Sequence, residues 1–213
     1  MSDPGELLRG HLGFWGAVCR SISHEMNNVT AILIELAGLM QDRLAAAGGQ
    51  AVDGQKTAAT LGRMGTQLER ARRLMGLLNR FGHSVDDFDT SIEVSEAVEQ
   101  ALALCRRFAD LKKCELESEV AAAGRYIISG SPFVLLHILF RALRAGLEQA
   151  PAGTQLLLRA TAAEQGCCFE VIGATPTGDE VRLLEQLVVA SGGRLLDQPG
   201  SFWLPARLRF PGA

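Results

Sequence analysis

The segment SISHEMNNVTAIL, residues 21–33, places a histidine beside a glutamate within a predicted helix. On such a helix Asn28 lies one turn after His24 on the same side, Ser21 lies about one turn before, and Glu25 is offset by about 100°. A neutral imidazole can attack phosphorus, and an adjacent carboxylate can orient the ring or accept its proton. The amide can hold a water or a phosphoryl oxygen. His24, Glu25 and Asn28 are therefore candidate catalytic residues, although an exposed helical histidine with an incidental charged neighbour has the same pattern.

Two long helices are predicted to carry these residues. Apolar side chains recur at helical spacing over about residues 4–47 and again over about residues 56–81, with a glycine-containing turn between. Two antiparallel helices of this length form a hairpin that cannot bury both sides of its apolar stripes by itself. The hairpin needs a partner, most simply a second copy that completes a dimeric four-helix bundle.

The pattern changes after residue 90, where short alternating strands interleave with amphipathic helices. Ser95 is expected to cap one helix, and Ser131 with Pro132 is expected to begin another. The alternation predicts an α/β sandwich, so the fold class is α+β. We predict two domains: residues 1–85, for dimerisation and phosphotransfer, and residues 86–213.

The chain has 213 residues, of which 47% are hydrophobic, and its formal net charge is −3. That composition is typical of a globular protein with a sizeable core, and it lacks the broad basic field of a nucleic-acid-binding protein. No apolar run reaches the roughly 20 residues of a membrane span, and residues 1–16 lack a signal-peptide pattern. We expect a cytoplasmic protein whose partners include no nucleic acid and no membrane.

The cysteines and histidines do not suggest a metal site. The five cysteines show no C-x-x-C spacing, and His11, His83 and His137 are scattered along the chain. Neither a zinc site nor a disulfide framework is therefore expected. His137 falls on an apolar helix, where we expect a satisfied core or partly exposed histidine rather than a ligand.

The segment SISHEMNNVTAIL resembles the phosphoacceptor box of bacterial sensor histidine kinases, which lies on the first helix of a dimeric hairpin. The later elements resemble, in pattern and order, the ATP-binding domain of that family. SGSPFVLLHILFRALRAGLEQAPAGTQLLLRATA is similar to the segment that contains the N box. FEVIGATPTG lies in the place of the first glycine box, and LLEQLVVASGGRL is similar to the last helix and strand.

The resemblance fails at the nucleotide site. Ala145 stands where the family has a magnesium-binding asparagine, and Gly173 stands where it has the aspartate that reads adenine. Thr175 and Thr177 replace glycines, and the helix predicted near Gly178 leaves no room for the flexible lid. Magnesium and adenine without these partners would each lose several kcal/mol of binding. ATP binding in the manner of the family is therefore not expected.

A retained phosphoacceptor with a lost nucleotide site resembles histidine phosphotransferases of the degenerate sensor-histidine-kinase type. The resemblance implies a homodimer without a cofactor, in which His24 carries a phosphoryl group between the aspartates of response-regulator receiver domains. Magnesium would come with the receiver. The alternatives are a receiver phosphatase that uses Glu25 and Asn28, or a dimeric adaptor in which no phosphate moves. An ATP-dependent kinase is ranked after the phosphotransfer protein and these alternatives.

Docking of the receiver is predicted at two groups of residues. Receivers of this system usually bind through a small apolar helix face, so Ile22 and Val29, which we expect on the exposed side of the first helix, are docking candidates. Ser21, expected near the transferring group, is a further docking residue. An acidic receiver face could also contact the arginines of the second helix, and Arg70 and Arg73 are the candidates.

Overall fold

The computed structural model describes residues 4–86, 90–121, 126–176 and 179–208. Within these ranges the chain forms five α-helices and eight β-strands. The helices are α1 (Pro4–Ala47), α2 (Gly54–His83), α3 (Val94–Lys112), α4 (Pro132–Gln149) and α5 (Asp179–Ala190). The strands are β1 (Thr90–Glu93), β2 (Glu115–Val120), β3 (Tyr126–Gly130), β4 (Gln155–Ala163), β5 (Gly166–Ile172), β6 (Arg194–Leu195), β7 (Ser201–Pro205) and β8 (Arg207–Leu208).

By its packing the chain divides into two compact units. One unit is helical and runs from Gly16 to Arg80, and the other combines the residues up to Trp15 with those from Phe81 onward. The first turns of α1 therefore pack with the α/β unit. The proposed division of function at residue 85 stays a prediction.

The helical unit is a hairpin because its turn stops one helix and starts the next. Gly48 and Gly49 follow α1 with φ angles of 54° and 88°, a left-handed conformation that favours glycine. Asp53 precedes α2, and its Oδ1 accepts hydrogen bonds from the backbone N–H groups of Gln55 and Lys56 at 3.0 and 3.2 Å. A side-chain cap of this kind satisfies N–H groups that have no partner within the helix.

The α/β unit contains two sheets. The larger has the strand order β2-β4-β5-β7-β6, in which β2 and β4 are parallel and the other neighbours are antiparallel. β4 with β5, and β6 with β7, form antiparallel pairs of consecutive strands. The smaller sheet has the order β1-β3-β8, so the last strand leaves the C-terminal hairpin and pairs with β3 instead.

Helix α4 is the central helix of the α/β unit. Its N-cap is Ser131, whose side chain accepts from the Val134 N–H, and Pro132 occupies the first helical position, as predicted. Twelve of its 18 residues are buried, because it packs against α3, α5 and the larger sheet. The prediction for α3 was wrong by two residues: Glu93, not Ser95, is in the N-cap position.

The described structure confirms the predicted α+β class, with a helical hairpin followed by an α/β unit. In the ranges given above, no helix combines the length and the apolar character that crossing a membrane requires.

Candidate functional site

His24 lies on α1 with its side chain exposed to solvent, and Asn28 is exposed one turn later. The Asn28 Nδ2 atom lies 3.4 Å from His24 Nδ1. The predicted proximity of these two residues is therefore seen in the helical unit. The contact is long for a hydrogen bond, and it orients the ring more than it stabilises the helix.

The contact with Asn28 engages one nitrogen of the imidazole ring. An amide that presents its N–H group to Nδ1 leaves the ring proton on Nε2. The reversed amide accepts a hydrogen bond from the Nδ1–H group and leaves Nε2 with the free lone pair; the two orientations differ by a rotation of the amide. In both, Nδ1 faces Asn28, so Nε2 is the ring nitrogen that an external group can reach.

Glu25 contacts the second helix. Its Oε2 accepts a hydrogen bond from Arg70 Nη2 at 3.0 Å, and the two side chains are 18% and 40% exposed, respectively. The contact of Glu25 is with Arg70 and not with His24. That Glu25 steadies the imidazole therefore stays a prediction. The two residues lie at similar separations from the turn near residue 48, so an antiparallel register could have predicted their pairing.

The prediction that the docking face is exposed on α1 is wrong. Ile22 is 4% exposed, Val29 is fully buried and Ser21 is also buried within the single chain. Ile22 and Val29 are seven residues, or about two helical turns, apart on the buried side of α1, with Val18 four residues before them and Leu36 seven residues after. A receiver cannot contact side chains in that position unless the hairpin opens.

The exposed surface around His24 has a different composition. Small or polar residues make up most of it, namely Ser23, Asn27, Asn28, Thr30 and Ala31, and Arg20 is exposed one turn before His24. The next large apolar side chain that is exposed after His24 is Ile34. On α2, the predicted docking residue Arg73 has a largely exposed side chain 3.8 Å from Glu69. Arg73 therefore remains available to an acidic partner, whereas Arg70 is engaged by Glu25.

Two positions at which the sequence lacks the polar groups expected of a nucleotide site are Ala145 and Gly173. Ala145 is fully buried in α4. Gly173 has a φ of 108°, and a Cβ atom there would lie 2.4 Å from the carbonyl oxygen of Gln155. An aspartate at Gly173 therefore requires a backbone change. Thr175 is exposed, while Thr177 and Gly178 lie outside the described residues.

A cavity of about 270 Å³ lies elsewhere in the α/β unit, between the smaller sheet and the ends of α4 and α5. Ile92, Ile128, Val134, Ile138 and Leu204 contribute to its mainly apolar lining. Ala145 and Gly173 do not belong to that lining, so the cavity is separate from those two positions. The described lining also includes Ser129, Ser131 and Ser191, but it has no charged side chain.

The remaining candidates have structural roles. Among the described residues, no three His, Cys, Asp or Glu side chains form a group that could hold a metal ion. All five cysteines are free thiols, and burial raises the pKa of the Cys167 thiol to about 12. His137 is fully buried and hydrogen-bonded, which confirms that it is a satisfied core residue.

No model of a protein family matches this sequence, and no curated protein matches it. Several solved structures are similar. A bacterial phosphotransferase shares 12% identity, with 92% of this chain and 96% of that chain covered and a TM-score of 0.47. A histidine kinase from Burkholderia phymatum STM815 shares 12% identity, with 86% of this chain and 99% of that chain covered and a TM-score of 0.46. The Acinetobacter baumannii histidine kinase AdeS also shares 12% identity, with 89% of this chain and 98% of that chain covered and a TM-score of 0.44. At these values the alignments assign no role to any residue.

Proposed function

We propose that this chain is a histidine phosphotransfer protein of a two-component phosphorelay, acting in the cytoplasm. His24 receives a phosphoryl group from the aspartate of one response-regulator receiver domain and passes it to another. No nucleotide takes part, and the receiver brings the magnesium ion. Little further machinery is required, because positioning of the two reactants supplies most of the rate.

The exposed His24 imidazole, with Nδ1 facing Asn28, is the observation that carries the proposal. A phosphoacceptor must be reachable by a second protein, and His24 stands on a surface of small and polar side chains that leaves room around the ring. His137, by contrast, has both of its ring nitrogens in buried contacts. Nε2 of His24 can attack an acyl phosphate in the tautomer that carries the ring proton on Nδ1, with the carbonyl oxygen of Asn28 turned towards Nδ1.

The positions of Ala145 and Gly173 favour transfer over ATP-dependent phosphorylation. Buried Ala145 offers no oxygen to magnesium, and the backbone at Gly173 leaves no space for a carboxylate. Hard cations such as magnesium need oxygen ligands, and an adenine amino group needs an acceptor. The α/β unit then acts as a structural or docking module.

A second copy of the chain is part of the proposal. Leu61, Leu68 and Met75 occur seven residues apart on α2, and they are 55%, 58% and 52% exposed. A different stripe on the same helix, which includes Leu74 and Leu77, is buried. Exposed apolar residues that recur every seven positions are the pattern of a helix that packs against another helix. A homodimeric four-helix bundle would cover it.

Phosphate tracing tests the proposal. The protein is incubated with radiolabelled ATP and magnesium alone, and separately with receiver domains that carry a labelled phosphoryl group. We expect label on wild-type protein from a receiver but not from ATP, and none on His24→Ala. Label from ATP alone would refute the nucleotide argument. The absence of label from every receiver, with binding retained in His24→Ala, would show an adaptor.

A receiver phosphatase is the second candidate, and the exposed amide of Asn28 favours it. An amide at that place can orient the water that attacks the phosphorylated aspartate of a receiver, with Glu25 nearby. In that case phosphate would appear in solution with no label on the protein. His24→Ala would keep part of that activity, whereas it abolishes relay.

A further inference from the structure

The ion pair of Glu25 and Arg70 lies next to the phosphoacceptor, and the site so far described gives it no role. Glu25 follows His24 in the chain, and its carboxylate is mostly buried against the α2 guanidinium at 3.0 Å. Arg70 keeps 40% of its side chain exposed. The pair therefore holds two opposite charges at the edge of the surface that a phosphoryl donor must reach.

A carboxylate at that edge would act against the proposed reaction. The transferred phosphoryl group carries two negative charges, and like charges within a few Å repel at a partly exposed site. An arginine that holds the carboxylate removes this repulsion. Its planar guanidinium also has further N–H donors, which suit phosphoryl oxygens.

We infer that Arg70 is a positioning residue for phosphotransfer: by neutralising Glu25 it makes the surface at His24 able to accept a dianionic phosphoryl group. The inference rests on the proposed function and adds an electrostatic requirement to it. In the transfer, the Nε2 lone pair of His24 forms the N–P bond while the O–P bond of the acyl phosphate breaks. The electron pair of that bond stays with the carboxylate of the receiver.

A small phosphodonor separates this requirement from receiver docking. Phosphoramidate can phosphorylate His24 directly: the N–P bond to Nε2 forms, the P–N bond of the donor breaks, and ammonia leaves with its electron pair. The variants are Glu25→Gln, Arg70→Gln and the double variant. Arg72→Gln is the matched control, because it removes the same charge from an exposed arginine two residues along α2, paired with Glu69.

The expected rates of labelling follow the charge at the pair. Arg70→Gln leaves an unpaired carboxylate and labels roughly three- to tenfold more slowly than wild type, whereas Glu25→Gln labels faster by a similar factor. The double variant restores neutrality and returns to within about twofold of wild type. The differences shrink at high salt, because exposed charges are screened. Arg72→Gln labels at the wild-type rate.

Two outcomes overturn the inference while leaving the proposed function intact. If Arg70→Gln labels as fast as wild type, neutralisation is not needed. If Glu25→Gln and the double variant are both slow, the carboxylate itself acts on His24. By contrast, a wild-type protein that takes label neither from phosphoramidate nor from a receiver refutes the proposed function itself. His24→Ala must stay unlabelled in every arm, which assigns the label to that residue.

Discussion

His11 and His137, which are 126 residues apart in the chain, face each other with their Nδ1 atoms 3.0 Å apart. The Nε of Arg141 donates to His137 Nε2 at 3.0 Å, and Arg141 is itself paired with Glu180. His137 therefore carries its proton on Nδ1 and donates it to His11. This chain of contacts needs both rings neutral, because a protonated His11 would place two N–H groups against each other.

The native protein should consequently lose stability in mild acid. Burial lowers the pKa of His11, and burial together with the charge of Arg141 lowers the pKa of His137 to about 2. The unfolded chain takes up these protons below about pH 6.5 and the native chain does not, so the free energy of unfolding falls as the pH falls. Between about pH 7.5 and 5.5 we expect a loss of about 1–2 kcal/mol, measured by urea denaturation.

His137→Gln distinguishes this linkage from a simple loss of packing. Glutamine binds no proton in this range, so the variant should show a shallower pH dependence even though it is less stable at every pH. An unchanged slope in the variant would contradict the assignment of the acid sensitivity to His137.

The contact between Gly166 and Trp203 gives a prediction about the larger sheet. Gly166 opens β5, and a Cβ atom there would lie 2.2 Å from the indole ring of Trp203, which also stacks under Arg194. Gly166→Ala forces the ring to move and should destabilise the protein by about 1–3 kcal/mol. Gly62→Ala in α2 is the contrast, since nothing lies within 4 Å of its Cβ position and alanine favours a helix. Urea denaturation of both variants measures the difference, and equal stability would refute the steric reason.

Local signals in the sequence predicted most elements of this fold. The three- to four-residue repeat placed α1 over the residues where it is found, and the Ser131–Pro132 step marked the start of α4. The N-cap of α3 was placed wrongly at Ser95, because a serine within the first turn fits the capping pattern as well as a serine just before the helix does. Such signals depend on residues a few positions apart, which the sequence displays directly.

Contacts between distant residues could not be predicted in this way. Apolar side chains lie on more than one side of α1, and their spacing alone does not say which stripe the fold buries. For this reason Ile22 and Val29 are predicted on the exposed side although they are buried. The pairing of β8 with β3 and the contact of His11 with His137 have no local signal either. Of the candidate site, the contact of His24 with Asn28 followed from helix geometry, whereas the partner of Glu25 needed the register of the hairpin.

The exposed stripe on α2 predicts the oligomeric state. Leu68 is the middle residue of the repeat of Leu61, Leu68 and Met75, so a charge there should disrupt a helix–helix interface. We expect wild type to sediment as a dimer and Leu68→Glu to sediment as a monomer at micromolar concentration. Leu111→Glu, at an exposed leucine of α3 in the other unit, should leave the dimer intact. A monomeric wild type would remove the second copy from the proposal.

Asn28 separates the two candidate functions most directly. Its amide is the group that faces Nδ1 of His24, so Asn28→Ala lets the ring rotate and should slow transfer from a phosphorylated receiver by roughly tenfold. Asn27→Ala is the matched control, because this neighbouring amide is also exposed and points about 100° away around the helix. Transfer is followed by the label on His24 and hydrolysis by free phosphate. A relay retains slow labelling in Asn28→Ala; a phosphatase instead loses release of phosphate, because a water held by that amide loses its orientation.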